Sequence, residues 1–108
     1  MCERQLAEIQ EIVDSVKTSV QVVAIYVFGS VAKGLADENS DYDFYVVIPD
    51  NIGMREREAN WAIRESLIGK QKRSIDMLVG TVSKFERRKA YLYSIENEVA
   101  ETGVKVYG

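Results

Sequence analysis

The sequence predicts an α/β (α+β) domain in which a small mixed sheet is flanked by helices. Three observations carry that expectation. Apolar residues recur at helical spacing through the first twenty positions; three short runs rich in β-branched and aromatic residues follow; and helix-like stretches separate those runs.

Leu6, Ile9, Ile12, Val13, Val16 and Val20 share one face of a helix, which is therefore expected over about residues 3–19. Val22 to Phe28 is too short for an ordinary helix and apolar on both faces, as a buried strand would be, and Gly29 stops it. A short helix is expected over Ser30–Ala36 and a polar turn over Asp37–Ser40. A second strand is expected over Asp41–Ile48, closed by Pro49. Residues Ile52 to Ile68 read as a second long helix with Gly69 as its stop, and Ile75–Val79 as a third strand. Ser83 with Glu86 forms a capping-box pattern. It opens a last helix whose buried stripe is expected to be Phe85, Leu92, Ile95 and Val99, ending at Gly103, with a short edge strand at Val104–Tyr107.

At 108 residues the chain fits one domain, residues 1–108, and no repeat, linker or low-complexity stretch interrupts it. A domain this size buries only about two-thirds of its unfolded surface, which leaves room for a partner or a second copy, so a homo-oligomer or complex is expected to be compatible with it. Hydrophobic residues make up 46% and charged residues 29%, the balance of a soluble globular chain. No apolar run approaches the roughly 18 residues of a membrane span, and the N-terminus lacks the pattern of a signal peptide, so a cytoplasmic location and no membrane partner are expected.

The lone Cys2 cannot form an internal disulfide, and the absence of His removes imidazole metal sites and every Ser-His or Cys-His pair. Catalysis, if any, must run on carboxylates, hydroxyls, Lys or Arg. The net charge of −3 argues against a duplex nucleic-acid binder. The basic islands Lys70-Gln71-Lys72-Arg73 and Arg87-Arg88-Lys89 read as solvated helix ends and loops. Trp61 reads as a core residue, and of Tyr91 and Tyr93 one is expected to flank the core and the other to lie on the surface.

The chemistry concentrates in residues 29–43. Asp41 and Asp43, two apart in a strand, point to one face and can aim both carboxylates at one spot. Two such charges repel unless a cation sits between them or one takes up a proton, and Mg²⁺ suits a few carboxylates completed by water and phosphate oxygens. Strand alternation puts Asp76 on the face opposite Ile75, Met77 and Val79. If its strand lies beside that of Asp41, three carboxylates converge, and the third can serve a second metal ion and take the proton from an attacking hydroxyl. Gly29-Ser30, between a strand and a short helix, lets backbone approach a triphosphate and supplies a hydroxyl donor, with Lys33 as an extra cation. Gly29 and Gly34 have the glycine spacing of a P-loop, but Leu35 and Ala36 stand where Lys and Ser/Thr are required, so that motif fails.

Gly29-Ser30, then Asp41-x-Asp43, then a later strand Asp76 resembles the polymerase-β-type nucleotidyltransferase superfamily, specifically its minimal members of the HEPN/MNT antitoxin kind. The resemblance is most specific over residues 29–47, and Tyr42 replaces the usual aliphatic residue between the aspartates. It implies the nucleotidyltransferase fold and transfer of a nucleotidyl group, AMP from ATP, to an acceptor hydroxyl. Asp41 and Asp43 would be metal ligands, and Asp76 third ligand and base. It also implies a HEPN-domain toxin whose tyrosine is the acceptor. Two alternatives stay open: a non-catalytic subunit that masks the toxin by contact, and a nucleotidyltransferase subunit acting on a small molecule.

Overall fold

The structure is a computed structural model that describes residues 1–34, 41–70 and 74–108. The expected turn over 37–40, the end of the short helix at 35–36 and residues 71–73 of one basic island lie outside the described residues. In chain order the elements are α1 (Glu3–Ser19), β1 (Ala24–Phe28), α2 (Gly29–Ala32), β2 (Tyr42–Ile48), α3 (Glu56–Ser66), β3 (Ile75–Thr81), α4 (Val82–Arg88), α5 (Ile95–Thr102) and β4 (Val104–Tyr107). No helix among the described residues is long and apolar enough to cross a membrane.

The strands form one mixed sheet in the order β3-β2-β1-β4. β1 runs antiparallel to β2 and to β4, while β2 and β3 are parallel and joined through α3, the crossover that parallel neighbours require. β2 is central and covered on both faces, so six of its seven residues are buried. On one face Tyr42, Phe44, Val46 and Ile48 join Ile9, Val13 and Val16 of α1 and Ala59 and Ile63 of α3 in the main core. On the other, Tyr45 and Val47 pack with Phe85 of α4 and Val99 of α5. Tyr42, between the two aspartates, is held in the main core, and its hydroxyl donates to Glu8 Oε2 at 2.9 Å, tying the start of β2 to α1.

β3 is an edge strand, and α3 takes the place of a missing neighbour. Asn60 Nδ2 and Arg64 donate to the Met77 carbonyl at 2.8 and 3.3 Å, and Glu56 accepts from the Thr81 N–H at 3.0 Å. Unpaired edge groups would otherwise be open to pairing with another chain.

Under the second face lies a charged network. Tyr45 Oη donates to Glu96 Oε2 at 2.8 Å, and Arg88 Nε donates to Glu96 Oε1 at 2.9 Å. Burial alone would raise the Glu96 carboxyl, but the hydrogen bonds from Tyr45 and Arg88 outweigh it and hold the group below its ordinary range. Burial, with the Glu96 hydrogen bond, pushes the Tyr45 phenol well above its own. A carboxylate so lowered stabilises the fold above its unfolded pKa and loses that contribution as pH falls through the folded one. Glu96→Ala leaves a buried phenol and a guanidinium without their acceptor. It is expected to cost about 2–4 kcal/mol, read as a lower midpoint in urea unfolding at pH 7; an unchanged midpoint would mean the network is incidental.

Six expectations are corrected. The last helix is two: α4 ends at Arg88, and α5 starts afresh with Ser94 as N-cap, its hydroxyl accepting from the Asn97 N–H at 2.9 Å. Leu92 and Ile95, expected in a buried stripe, fall on and just after the intervening turn and are 75% and 42% exposed. Thr81, not Ser83, caps α4, because β3 runs two residues further than Val79 and brings Thr81 to the helix start; Ser83 instead donates to Asp50. The second long helix occupies only Glu56–Ser66 of the expected span, and Trp61 on it is 68% exposed, since Ala59 and Ile63 define its inner face. Leu6 at the start of α1 is likewise exposed.

Candidate active site

The expected site residues sit at one end of the sheet, where β1 stops and β2 and β3 begin. Phe28, the last residue of β1, pairs with Asp43. Gly29 follows with φ +75°, a left-handed conformation that side chains other than glycine adopt at a cost. A Cβ built there would collide with the Asp43 carboxylate, so Gly29 is required both by its backbone and by the close approach of Asp43. Ser30 and Lys33 are exposed, Ser30 within α2 and Lys33 at its C-cap. α2 is a single turn, so what it offers an anion is individual N–H groups rather than a macrodipole.

Asp43 and Asp76 are register partners on adjacent parallel strands. Their carboxyls lie within hydrogen-bonding range of each other. Asp43 is half-buried and Asp76 exposed. Asp41 stands one residue before β2, exposed at the rim. Burial, then the Asp76 carboxyl through contact and charge, then the fields of Asp41 and Glu98 push the Asp43 carboxyl from 3.8 up to about 6. The structure thus brings Asp43 and Asp76 together beside Gly29, with Asp41 near enough to act on Asp43 through its charge alone.

Among the described residues, no three acidic, thiol or imidazole groups are gathered closely enough to hold a metal ion between them. The donor set still fits Mg²⁺, which needs only one or two protein carboxylates and takes water and substrate phosphate oxygens as its other ligands. Two touching carboxyls, one of them driven toward its protonated form, are the electrostatic signature of a place that favours a cation.

Glu98 was missed by the sequence reading as a site residue. It lies on α5, half-buried, and its charge reaches Asp43. The only signal in the chain was its place next to Val99, which packs that helix onto the sheet face bearing Asp43; without the packing of α5 on β1, nothing connects the two. Leu78, two residues after Asp76 on the same face, is 38% exposed and borders a groove of about 390 Å³ shared with Trp61 and Arg57 of α3.

Residues 9–106 match the family model described as "Nucleotidyltransferase domain". No curated protein matches. Among solved structures, a Sulfolobus solfataricus protein described as a nucleotidyltransferase aligns with a TM-score of 0.65 at 21% identity, over 94% of this chain and 78% of that one. A toxin-antitoxin structure with AMP-PNP aligns with a TM-score of 0.63 at 19% identity, over 92% of this chain and 72% of the other. A mutant of the toxin-antitoxin MntA-HpeT aligns equally well, at 0.63 and 18% identity over 92% and 72%. At these identities the likeness is one of fold.

Proposed function

Since the chain belongs to the nucleotidyltransferase domain family, we propose that it transfers AMP from ATP to a tyrosine hydroxyl of a HEPN-domain toxin, as the antitoxin of the pair. The observation that carries this reading is the contact of Asp43 with Asp76 against the bare backbone of Gly29. The toxin-antitoxin relatives, one of them with AMP-PNP, support the nucleotide and the partner.

In this reading Asp43 and Asp76, with Asp41 at the rim, would hold Mg²⁺, two ions when a nucleotide is present. The metal supplies neutralisation of the triphosphate charge and of the charge developing on the leaving oxygen. Gly29 lets the backbone come close to the phosphates, the Ser30 hydroxyl donates to a phosphate oxygen, and the Lys33 ammonium adds a cation at the rim. Asp76, the more exposed carboxylate of the pair, takes the proton from the acceptor hydroxyl. The hydroxyl oxygen bonds to the α-phosphorus as the bond from that phosphorus to the β-phosphate oxygen breaks, and pyrophosphate leaves.

Incubation of the chain with ATP, Mg²⁺ and a HEPN-domain protein, should one be found encoded beside it, tests this directly. Intact-mass spectrometry is expected to show the partner gaining one adenylyl unit per transfer, with loss of its RNase activity. Loss of RNase activity with no mass change would establish masking by contact in place of catalysis. Asp76→Asn is expected to keep ATP binding by calorimetry, because most of the phosphate grip lies at Gly29-Ser30, while transfer falls by about 10²–10⁴-fold, the scale of a lost general base. Transfer at the wild-type rate would remove Asp76 from the role of base.

A further inference from the structure

Along its outer edge β3 carries the backbone groups of alternate residues. The Tyr42 N–H donates to the Ser74 carbonyl at 3.1 Å, which sets the phase of the parallel ladder: even-numbered residues of β3 turn their N–H and carbonyl toward β2, odd-numbered ones away from it. α3 covers two of the outward groups, the Met77 carbonyl through Asn60 and Arg64 and the Thr81 N–H through Glu56. Between them, the Val79 N–H and carbonyl meet no donor or acceptor among the described residues. Open edge groups of this kind are a template for pairing with another chain.

The same place is a groove of about 390 Å³, with Leu78 and Val79 on its strand side and Arg57, Asn60, Trp61 and Arg64 on its helix side. Trp61 is 68% exposed and Leu78 38%, so two large apolar side chains flank the open backbone without serving the core. Arg64 is committed to Asn60 and the Met77 carbonyl, and Glu56 is paired with Lys84. Arg57 is exposed and has no ion pair or hydrogen bond among the described residues, which makes it the uncompensated charge of the groove.

The groove reaches the candidate active site along the strand itself. Leu78 follows Asp76 by two residues, and side chains two apart share a face, with Cα atoms roughly 6.5 Å apart. The neighbouring strand repeats the arrangement, Asp43 opposite Asp76 and Tyr45 opposite Leu78. Toward the start of β3 a smaller hollow of about 80 Å³, lined by Arg64, Leu67, Ile75 and Met77, continues along the edge to the end where Asp76 stands.

The chemistry of the groove selects its occupant. A donor and an acceptor on one strand residue call for polypeptide backbone, the apolar flanks for a large side chain, and Arg57 for an acidic one. A nucleic-acid strand has no amide backbone to pair with Val79, and its phosphates would run into Asp41, Asp43 and Asp76. A second copy paired edge to edge would set the Arg57 and Arg64 stripe of one α3 against that of the other, like charge against like.

We propose that the β3 edge receives a short extended segment of the acceptor protein. The segment pairs through its backbone with Val79, lays an apolar side chain over Leu78 and Trp61 and an acidic one at Arg57, and leads the acceptor hydroxyl along the strand to Asp76. That the acceptor is a protein receiving AMP rests on the function proposed above; the docking edge rests on β3 and α3. Tryptophan and arginine are the residue types that carry interface energy.

Hydrogen exchange and two variants of the full chain test it, with the HEPN-domain protein of the transfer assay as the probe. The Val79 amide is expected to exchange at least tenfold more slowly with saturating partner than without it. Trp61→Ser and Arg57→Glu change exposed side chains, so the melting temperature is expected to stay within a few degrees of wild type. Each variant is expected to bind the partner at least tenfold more weakly by calorimetry, with Mg-ATP binding unchanged. Transfer should fall through the KM for the protein acceptor rather than through kcat. Wild-type affinity in both variants, or a Val79 amide that exchanges as fast in the complex, overturns the docking edge even if transfer proceeds. Binding with a protected Val79 and no AMP transferred leaves the edge standing and removes the catalytic reading. Protection that grows with the concentration of the chain alone would assign the edge to a second copy, and protection by a single-stranded oligoribonucleotide would assign it to nucleic acid. Either result overturns the proposal, as does absence of any binding by the wild type.

Discussion

Asp43→Asn is expected to abolish nucleotidyl transfer, by about three orders of magnitude or more, and at the same time to make the metal-free protein more stable at neutral pH. The two effects have one origin. In the folded chain the Asp43 carboxyl titrates near 6 against 3.8, chiefly because it is half-buried and touches Asp76. A carboxyl raised in this way is protonated more readily when folded than when unfolded. The destabilisation is therefore absent below about pH 4, grows between about 4 and 6, and is complete above that. Because Asp43 remains partly in solvent the full shift overstates the energy, and about 1–2 kcal/mol is the reasonable scale. For a domain of this size that amounts to roughly 5–10 °C in melting temperature.

The check is a pair of thermal melts in EDTA. At pH 8 the Asn variant should melt several degrees above wild type, and at pH 4 the two should coincide. Added Mg²⁺ with ATP should raise the wild type and leave the variant nearly unmoved, since a ligand stabilises only the fold that binds it. A variant that melts lower than wild type at pH 8 would mean that Asp43 is there for structure, and the loss of transfer would then carry no information about the site.

How far this site could be read from the sequence follows from which forces set each residue's place. Asp43 and Asp76 were legible because period-two alternation decides the face of a strand residue: Phe44, Val46, Met77 and Val79 had to go inward, so the aspartates had to go outward. That the two strands are neighbours in register was a tertiary fact, supplied by the β2-α3-β3 crossover. Trp61 misled because hydrophobicity was taken as a vote for burial, while the helix phase, fixed by Ala59 and Ile63, turned it outward. The break between α4 and α5 was hidden because residues 85–99 carry no glycine or proline to announce it. Ser94 caps the new helix through a hydroxyl that in sequence looks like any helical serine. Glu98 reaches Asp43 only through the docking of α5 on β1, and no local pattern encodes that.

The second large effect is expected at Gly29, and it bears on whether glycine is needed there for its backbone or for its neighbour. Gly29→Ala places a side chain at φ +75°, which costs about 1–2 kcal/mol for an L-residue. It also drives the new Cβ into the Asp43 carboxylate, so that the aspartate must leave its position opposite Asp76 or the strand ends must part. Together the two should lower stability by about 2–4 kcal/mol, roughly 10–25 °C for a domain this small, and Mg-ATP binding should go with it because the displaced carboxylate is the one that would hold the metal. A double-mutant cycle separates the causes. In the Asp43→Ala background the collision partner is gone, so Gly29→Ala should then cost only the backbone part, leaving a coupling of about 1–2 kcal/mol between the two positions. Urea unfolding of the four proteins in EDTA, where no metal contributes, measures that coupling. Strict additivity would show that the Asp43 carboxylate does not rest on Gly29, and that the glycine is there for the turn alone.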